Sequence, residues 1–164
     1  MLAAYLQTFV EYGMLRKREG MRVFMQKDTS EIVKELGLSS DFRTFYQENK
    51  EYMVNVSLSE LLAQLLESKG LRKAQVIKNA EFSEVYGYQI FSGLRIPERK
   101  KLICLAVGMK LNIEETQTLL KCAGYSTLYV KLPFDSVVLY GLCKGLSVVE
   151  INELLYEYEL ETLG

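Results

Sequence analysis

The sequence predicts an all-α fold, and three observations carry the prediction. Leu, Glu, Lys and Gln are abundant while proline stands only at Pro97 and Pro133, a composition that favours helix. Apolar residues recur at helical spacing in one segment after another, each preceded by a residue suited to start a helix. Helical segments end on the same punctuation at Gly37-Leu38, Gly70-Leu71 and Gly145-Leu146; glycine suits the left-handed residue that closes a helix, and the leucine packs back on the last turn. No pair of segments reads as paired strands.

Helices are expected near 2–18, 29–36, 40–54, 58–69, 73–80, 84–92, 98–109, 113–123, 134–144 and 148–160. The first rests on an apolar stretch interrupted by Glu11. Arg16-Lys17-Arg18-Glu19-Gly20 can be encoded wholly in purines directly before Met21, as a ribosome-binding site would be. Residues 1–20 are therefore either an ordinary N-terminal helix or sequence upstream of a start at Met21 or Met25. Asp28-x-x-Glu31 resembles a capping box. Ser57-x-x-Glu60 fits that pattern and precedes Leu61, Leu62, Leu65 and Leu66. Val76 and Ile77 mark the buried side of the short helix after Gly70, and Ser83 is a good N-cap for the next, which Gly93 ends. Pro97 sits near the first turn of the helix whose Leu102, Leu105 and Ala106 close the core, followed by Leu111 and Ile113. Asn112-x-x-Glu115 and Ser147-x-x-Glu150 open the helices before Leu119, Leu120 and before Ile151, Leu154, Leu155.

At 164 residues, 49% hydrophobic and 25% charged, the chain has the make-up of a globular protein and the length of one domain or of a small domain with extensions. No apolar run approaches the roughly 18 residues of a membrane span. The apolar start precedes the basic residues, the reverse of a secretory signal, so a cytoplasmic protein is expected. There is no histidine, which excludes a histidine general base or a histidine-ligated zinc. Cys104, Cys122 and Cys143 form no CxxC and read as small buried apolar residues. No cofactor, metal site or catalytic residue is expected. The net charge of −1 is unevenly spread. Residues 57–125 hold ten Lys/Arg against seven Asp/Glu, a net of +3, and residues 126–164 hold two against six, a net of −4. Residues 1–56 carry eight of each.

The segment with the most specific order is 57–125. Its Gly-Leu turn at 70–71, Phe82-Ser83, Ile90, Gly93-x-Arg95-x-Pro97, Leu102-x-x-Leu105-Ala106 and Leu111-x-Ile113-Glu114-Glu115 together resemble the XRE family of lambda-repressor-like helix-turn-helix regulators. YGYQIFSG, ETQTLL and CAGYSTLY resemble uncharacterised helix-turn-helix proteins of Gram-positive bacteria. The resemblance implies a lambda-repressor-like five-helix helix-turn-helix core over 57–125. An N-terminal helical extension (1–56) would precede it and a C-terminal helical hairpin (126–164) would follow. It also implies sequence-specific binding of double-stranded DNA by a transcriptional regulator, with helix 84–92 in the major groove. Lys73 would meet phosphate, and Ser83 would cap the helix and meet phosphate too. Glu84, Val85, Tyr88, Gln89 and Ser92 would face bases, with Gln89 suited to adenine and Glu84 to the cytosine amino group. Arg95, Arg99, Lys100 and Lys101 would grip the backbone. Gly87 stands where the family often has a branched apolar residue, which leaves the space to Tyr86 or Tyr88. Of Tyr86, Tyr88 and Phe91, one or two belong to the core.

The acidic hairpin 126–164 either packs on the preceding helices or offers a surface to a protein partner or a second copy. A homodimer would match inverted half-sites. The alternative to DNA reading is a helical protein-interaction or adaptor module that keeps the fold without reading bases. An enzyme is not expected, because no nucleophile stands with a recognisable base and no Gly-rich phosphate loop is present.

Overall fold

The computed structural model describes residues 27–50, 52–53 and 56–164. Among them the fold is all-α, without strands: α1 (Thr29–Leu38), α2 (Phe42–Asn49), α3 (Leu58–Ser68), α4 (Lys73–Asn79), α5 (Glu84–Phe91), α6 (Arg99–Gly108), α7 (Ile113–Cys122), α8 (Pro133–Lys144) and α9 (Val148–Glu157). The helix expected over 2–18 lies outside the described residues. Of the one expected over 40–54, the described residues are helical from Phe42 to Asn49, and 51 and 54 lie outside the described residues. No helix among the described residues is long and apolar enough to cross a membrane.

The chain divides into two compact units, one reaching Val54 and one spanning Asn55–Gly164. In the first, α1 packs on α2. Asp28 and Asp41 cap the two helices, their carboxylates accepting from Ser30 N at 3.1 Å and Thr44 N at 3.0 Å. The Lys27 ammonium pairs with Glu35 and donates to Asn49 Oδ1 at 3.2 Å. Gly37 departs from its expected role: α1 runs through it, and Ser39 ends the helix in extended conformation.

In the second unit α6 is the hub, packing on α4, α7 and α9. Leu102 to Gly108 are all buried, so this helix is apolar all round, as a helix enclosed on every side must be. Glycines set the tightest crossings. A Cβ on Gly87 would lie 2.5 Å from Ile77 Cγ1, so α5 meets α4 through a knob of isoleucine on bare backbone. Ile77, not Tyr86 or Tyr88, fills that space. A Cβ on Gly108 would lie 2.9 Å from Val76 O, and one on Gly141 2.5 Å from Ile151 Cγ1. The same device brings α6 onto α4 and α8 onto α9.

The helices of this unit, α3 to α9, all end alike. A left-handed residue follows each, at Gly70, Glu81, Gly93, Lys110, Gly124, Gly145 and Glu159. The next N–H then bonds five residues back: Leu71 to Leu66, Phe82 to Ile77, Leu94 to Gln89, Leu111 to Ala106, Tyr125 to Leu120, Leu146 to Gly141 and Leu160 to Leu155. The Gly-Leu rule read from the sequence is thus general here, with Glu or Lys standing in for glycine at three ends. Capping boxes close the starts of α3, α7 and α9. Val138, Val148, Ile151, Leu155 and Leu163 join the same core as α3 to α7, so the hairpin α8–α9 shares their interior. Leu65 is half-buried and packs against this core, whereas Ile113 is exposed. Cys104 is buried, and burial pushes its thiol up to about 11; Cys122 is half-buried and Cys143 is exposed, against expectation.

Candidate nucleic-acid interface

The candidate interface is α5 with the turn before it and the loop after it. Four residues, Ala80 to Ser83, join α4 to α5. Glu81 takes the left-handed conformation there with φ 58°. Ser83 caps α5, its hydroxyl accepting from Tyr86 N at 3.4 Å. The inner face of α5 is Gly87, Ile90 and Phe91. Its outer face is Glu84, Val85, Tyr88 and Ser92, all exposed, with Gln89 half-buried beside them. The Ser92 hydroxyl donates to the Gln89 carbonyl, while the Gln89 amide bonds to no described group. Of the three aromatic residues, Phe91 is core, Tyr86 is half-buried against Phe82, and Tyr88 faces outward.

Two predicted cations lie along α5. Lys73 Nζ sits 5.9 Å from the Phe91 ring, and Arg95 Cζ sits 5.2 Å from the Tyr86 ring. Both are exposed and neither forms an ion pair among the described residues. Burial raises the Tyr86 phenol above its usual value, and Arg95 pulls the other way. Arg72 at the N-cap of α4 is exposed and uses no side-chain cap bond. Arg72 and Lys78, which were not among the residues expected at the site, are exposed as well.

The basic run that opens α6 does something else. Arg99 donates to Ser126 O at 3.1 Å and Thr127 O at 3.3 Å. It also bridges both oxygens of Asp135 at 3.0 Å. Asp135 is 2% exposed and accepts from Tyr129 N at 2.9 Å as well. Lys100 donates to Thr162 O at 2.8 Å and pairs with Glu161 at 2.6 Å. A Cβ on Gly164 would stand 2.5 Å from Lys101 Nζ, so this ammonium lies against the same segment. Arg99 and Lys100, expected at phosphates, are bonded to residues 126–164, and Lys101, expected there too, lies against Gly164. The physical reason was visible as charge: the +3 segment meets the −4 segment inside one molecule.

Further ties fix this connection. Gln117 pairs with the Leu128 backbone through both amide atoms, donating at 2.8 Å and accepting at 2.7 Å. Tyr125 OH donates to Pro97 O at 3.1 Å.

Neither family models, curated proteins nor solved structures give a match to this chain.

Chemically, the outer face of α5 offers an amide, a phenol, a carboxylate and a branched apolar side chain, flanked by cations at two places. Among the described residues no three His, Cys, Asp or Glu side chains cluster as a metal site. Two further exposed residues stand beside α5 that the sequence reading did not single out, Leu94 and Ile96. Leu94 follows Gly93 as Leu71 follows Gly70, a pattern that ordinarily packs the leucine inward.

Proposed function

We propose that the second unit binds double-stranded DNA as a transcriptional regulator of XRE type, with α5 entering the major groove. The observation that carries this reading is the exposed outer face of α5, flanked by Lys73 and Arg95, neither of which forms an ion pair among the described residues. The order α3 to α7, with the short pair α4–α5 joined by a tight turn, supports a lambda-repressor-like helix-turn-helix core. In this reading Gln89 bonds adenine through its side-chain amide, Val85 meets a thymine methyl, and Tyr88 and Ser92 contact neighbouring edges. Glu84 accepts from a cytosine amino group. Lys73, Arg95 and Arg72 hold phosphates and fix register. Arg99, Lys100 and Lys101 act through the fold.

The test is duplex binding by the whole chain on random DNA and on its own promoter region, titrated from low salt upward. Lys73→Ala/Arg95→Ala should weaken binding to both duplexes and reduce the salt slope by about two. Gln89→Ala should leave the random duplex unaffected and cost about 1–3 kcal/mol of preference for the promoter. Absence of binding to either duplex at low salt would sink the reading. One observation favours a second reading, a protein-contact module using the same face: Val85, Leu94 and Ile96 make it more apolar than a phosphate-facing surface needs to be.

A further inference from the structure

We propose that the chain self-associates head to tail, the loop Leu94-Arg95-Ile96 of one copy seating in the groove between α8 and α9 of another. The proposal stands apart from the duplex reading and involves no nucleic acid. It starts from the seven like helix ends of the second unit. At six of them the apolar residue after the left-handed position is buried or half-buried: Leu71, Phe82, Leu111, Tyr125, Leu146 and Leu160. Leu94 occupies the same place with the same hydrogen bond and is 81% exposed. Ile96, two residues on, is 71% exposed.

The loop is also held rigid. Leu94 N and Arg95 N both donate to Gln89 O, at 3.0 and 3.2 Å. Pro97 is buried and its carbonyl accepts from Tyr125 OH. The Arg95 guanidinium lies on the Tyr86 ring. Two apolar side chains flanking one cation are thus presented in fixed geometry, so little conformational freedom is lost when they dock.

The groove has matching chemistry. It holds about 640 Å³ between α8 and the end of α9, with Val137, Leu154 and Leu160 among its lining and Tyr140 and Tyr158 as exposed walls. Glu153, Glu157 and Glu159, all exposed, adjoin Leu154 and Tyr158 in the chain. An apolar socket on a segment that carries these exposed carboxylates suits an apolar plug carrying Arg95, with Lys73 nearby on the α4–α5 pair. With Arg99–Asp135 and Lys100–Glu161 already paired within the chain, Lys73 and Arg95 on the plug side and Glu153, Glu157 and Glu159 on the socket side favour plug-to-socket contact and disfavour socket-to-socket contact. Because the two surfaces differ, the contact is heterologous, and repetition gives rings or open chains instead of a closed two-fold dimer.

Sedimentation of the full chain over a concentration series, at low and high salt, tests the proposal. Self-association that rises with concentration and weakens with salt is expected. Leu94→Ser/Ile96→Ser and Tyr140→Ser/Tyr158→Ser should each weaken it at least about tenfold. All four positions are exposed, and unchanged thermal unfolding of each variant would show that the fold is kept. Mixing the two variants is the deciding step. Each keeps one good surface, so the mixture should form a one-to-one heterodimer and grow no further. A chain that stays monomeric at every concentration overturns the proposal. So does association untouched by the loop variant, which would mean groove-to-groove pairing, and so does a mixture that forms no heterodimer.

Discussion

Gly87 shows how much one missing methyl group can decide. Glycine inside a helix costs about 1 kcal/mol against alanine, so Gly87→Ala would stabilise α5 if the helix stood alone. Here the added Cβ would fall 2.5 Å from Ile77 Cγ1 and 2.7 Å from its other two terminal carbons. Isoleucine is stiff at χ1 and cannot swing away cheaply. Gly87→Ala should therefore lower stability by about 1–3 kcal/mol in urea unfolding, and Ile77→Val should recover part of that loss in the double variant. A stabilised Gly87→Ala chain would mean that α4 and α5 are not this close. The same contact explains why the position departs from the branched apolar residue that the family resemblance implies: the branch is supplied from α4.

Among the elements, the helix starts rest on capping boxes with a direct pH consequence. Hydrogen bonds from the backbone N–H and then the hydroxyl of Ser57 hold the Glu60 carboxyl below its usual 4.5, and Ser147 does the same for Glu150. A carboxyl depressed in the folded state adds stability that is present above the unfolded value and lost as pH falls through the folded one. Thermal unfolding of the wild type should thus drop more steeply below pH 4.5 than that of Glu60→Gln/Glu150→Gln. Parallel curves would show that these bonds contribute nothing. These boxes were legible because they are local, needing only a serine and a glutamate three residues apart. Most helix ends were legible for the same reason. Gly37 misled because a glycine-leucine pair ends a helix only when the chain takes the left-handed turn, which nothing in the pair itself dictates. The exposed face of α5 was legible, because helical period sets Ser83, Glu84, Val85, Tyr88 and Ser92 outward. The role of the basic run at the start of α6 was not. Arg99 finds Asp135 across 36 positions, and no local pattern announces a partner that far away.

At the scale of the whole second unit, Arg99 is the chief polar tie between α6 and the segment that follows α7. Asp135 is almost wholly enclosed, so removing its partner leaves a buried charge uncompensated. Arg99→Ala should cost about 3–5 kcal/mol in urea unfolding, and Arg99→Lys should recover little, because an ammonium cannot reach both carboxylate oxygens and the two carbonyls in one plane. A loss under about 1 kcal/mol would place the tie on the surface instead. In Arg99→Ala/Asp135→Ala the penalty should shrink, since the orphaned charge is gone.

That tie also bears on how the molecule can be dissected. A fragment cut to residues 57–125 would keep the candidate reading helix but lose Asp135, Glu161 and the carbonyls that occupy Arg99 and Lys100. It would carry +3 where the intact chain carries −1, with a run of bare cations just past the loop after α5. Affinity for any polyanion measured on such a piece would belong to the cut and not to the protein, and its salt slope would exceed that of the intact chain by up to about two phosphates.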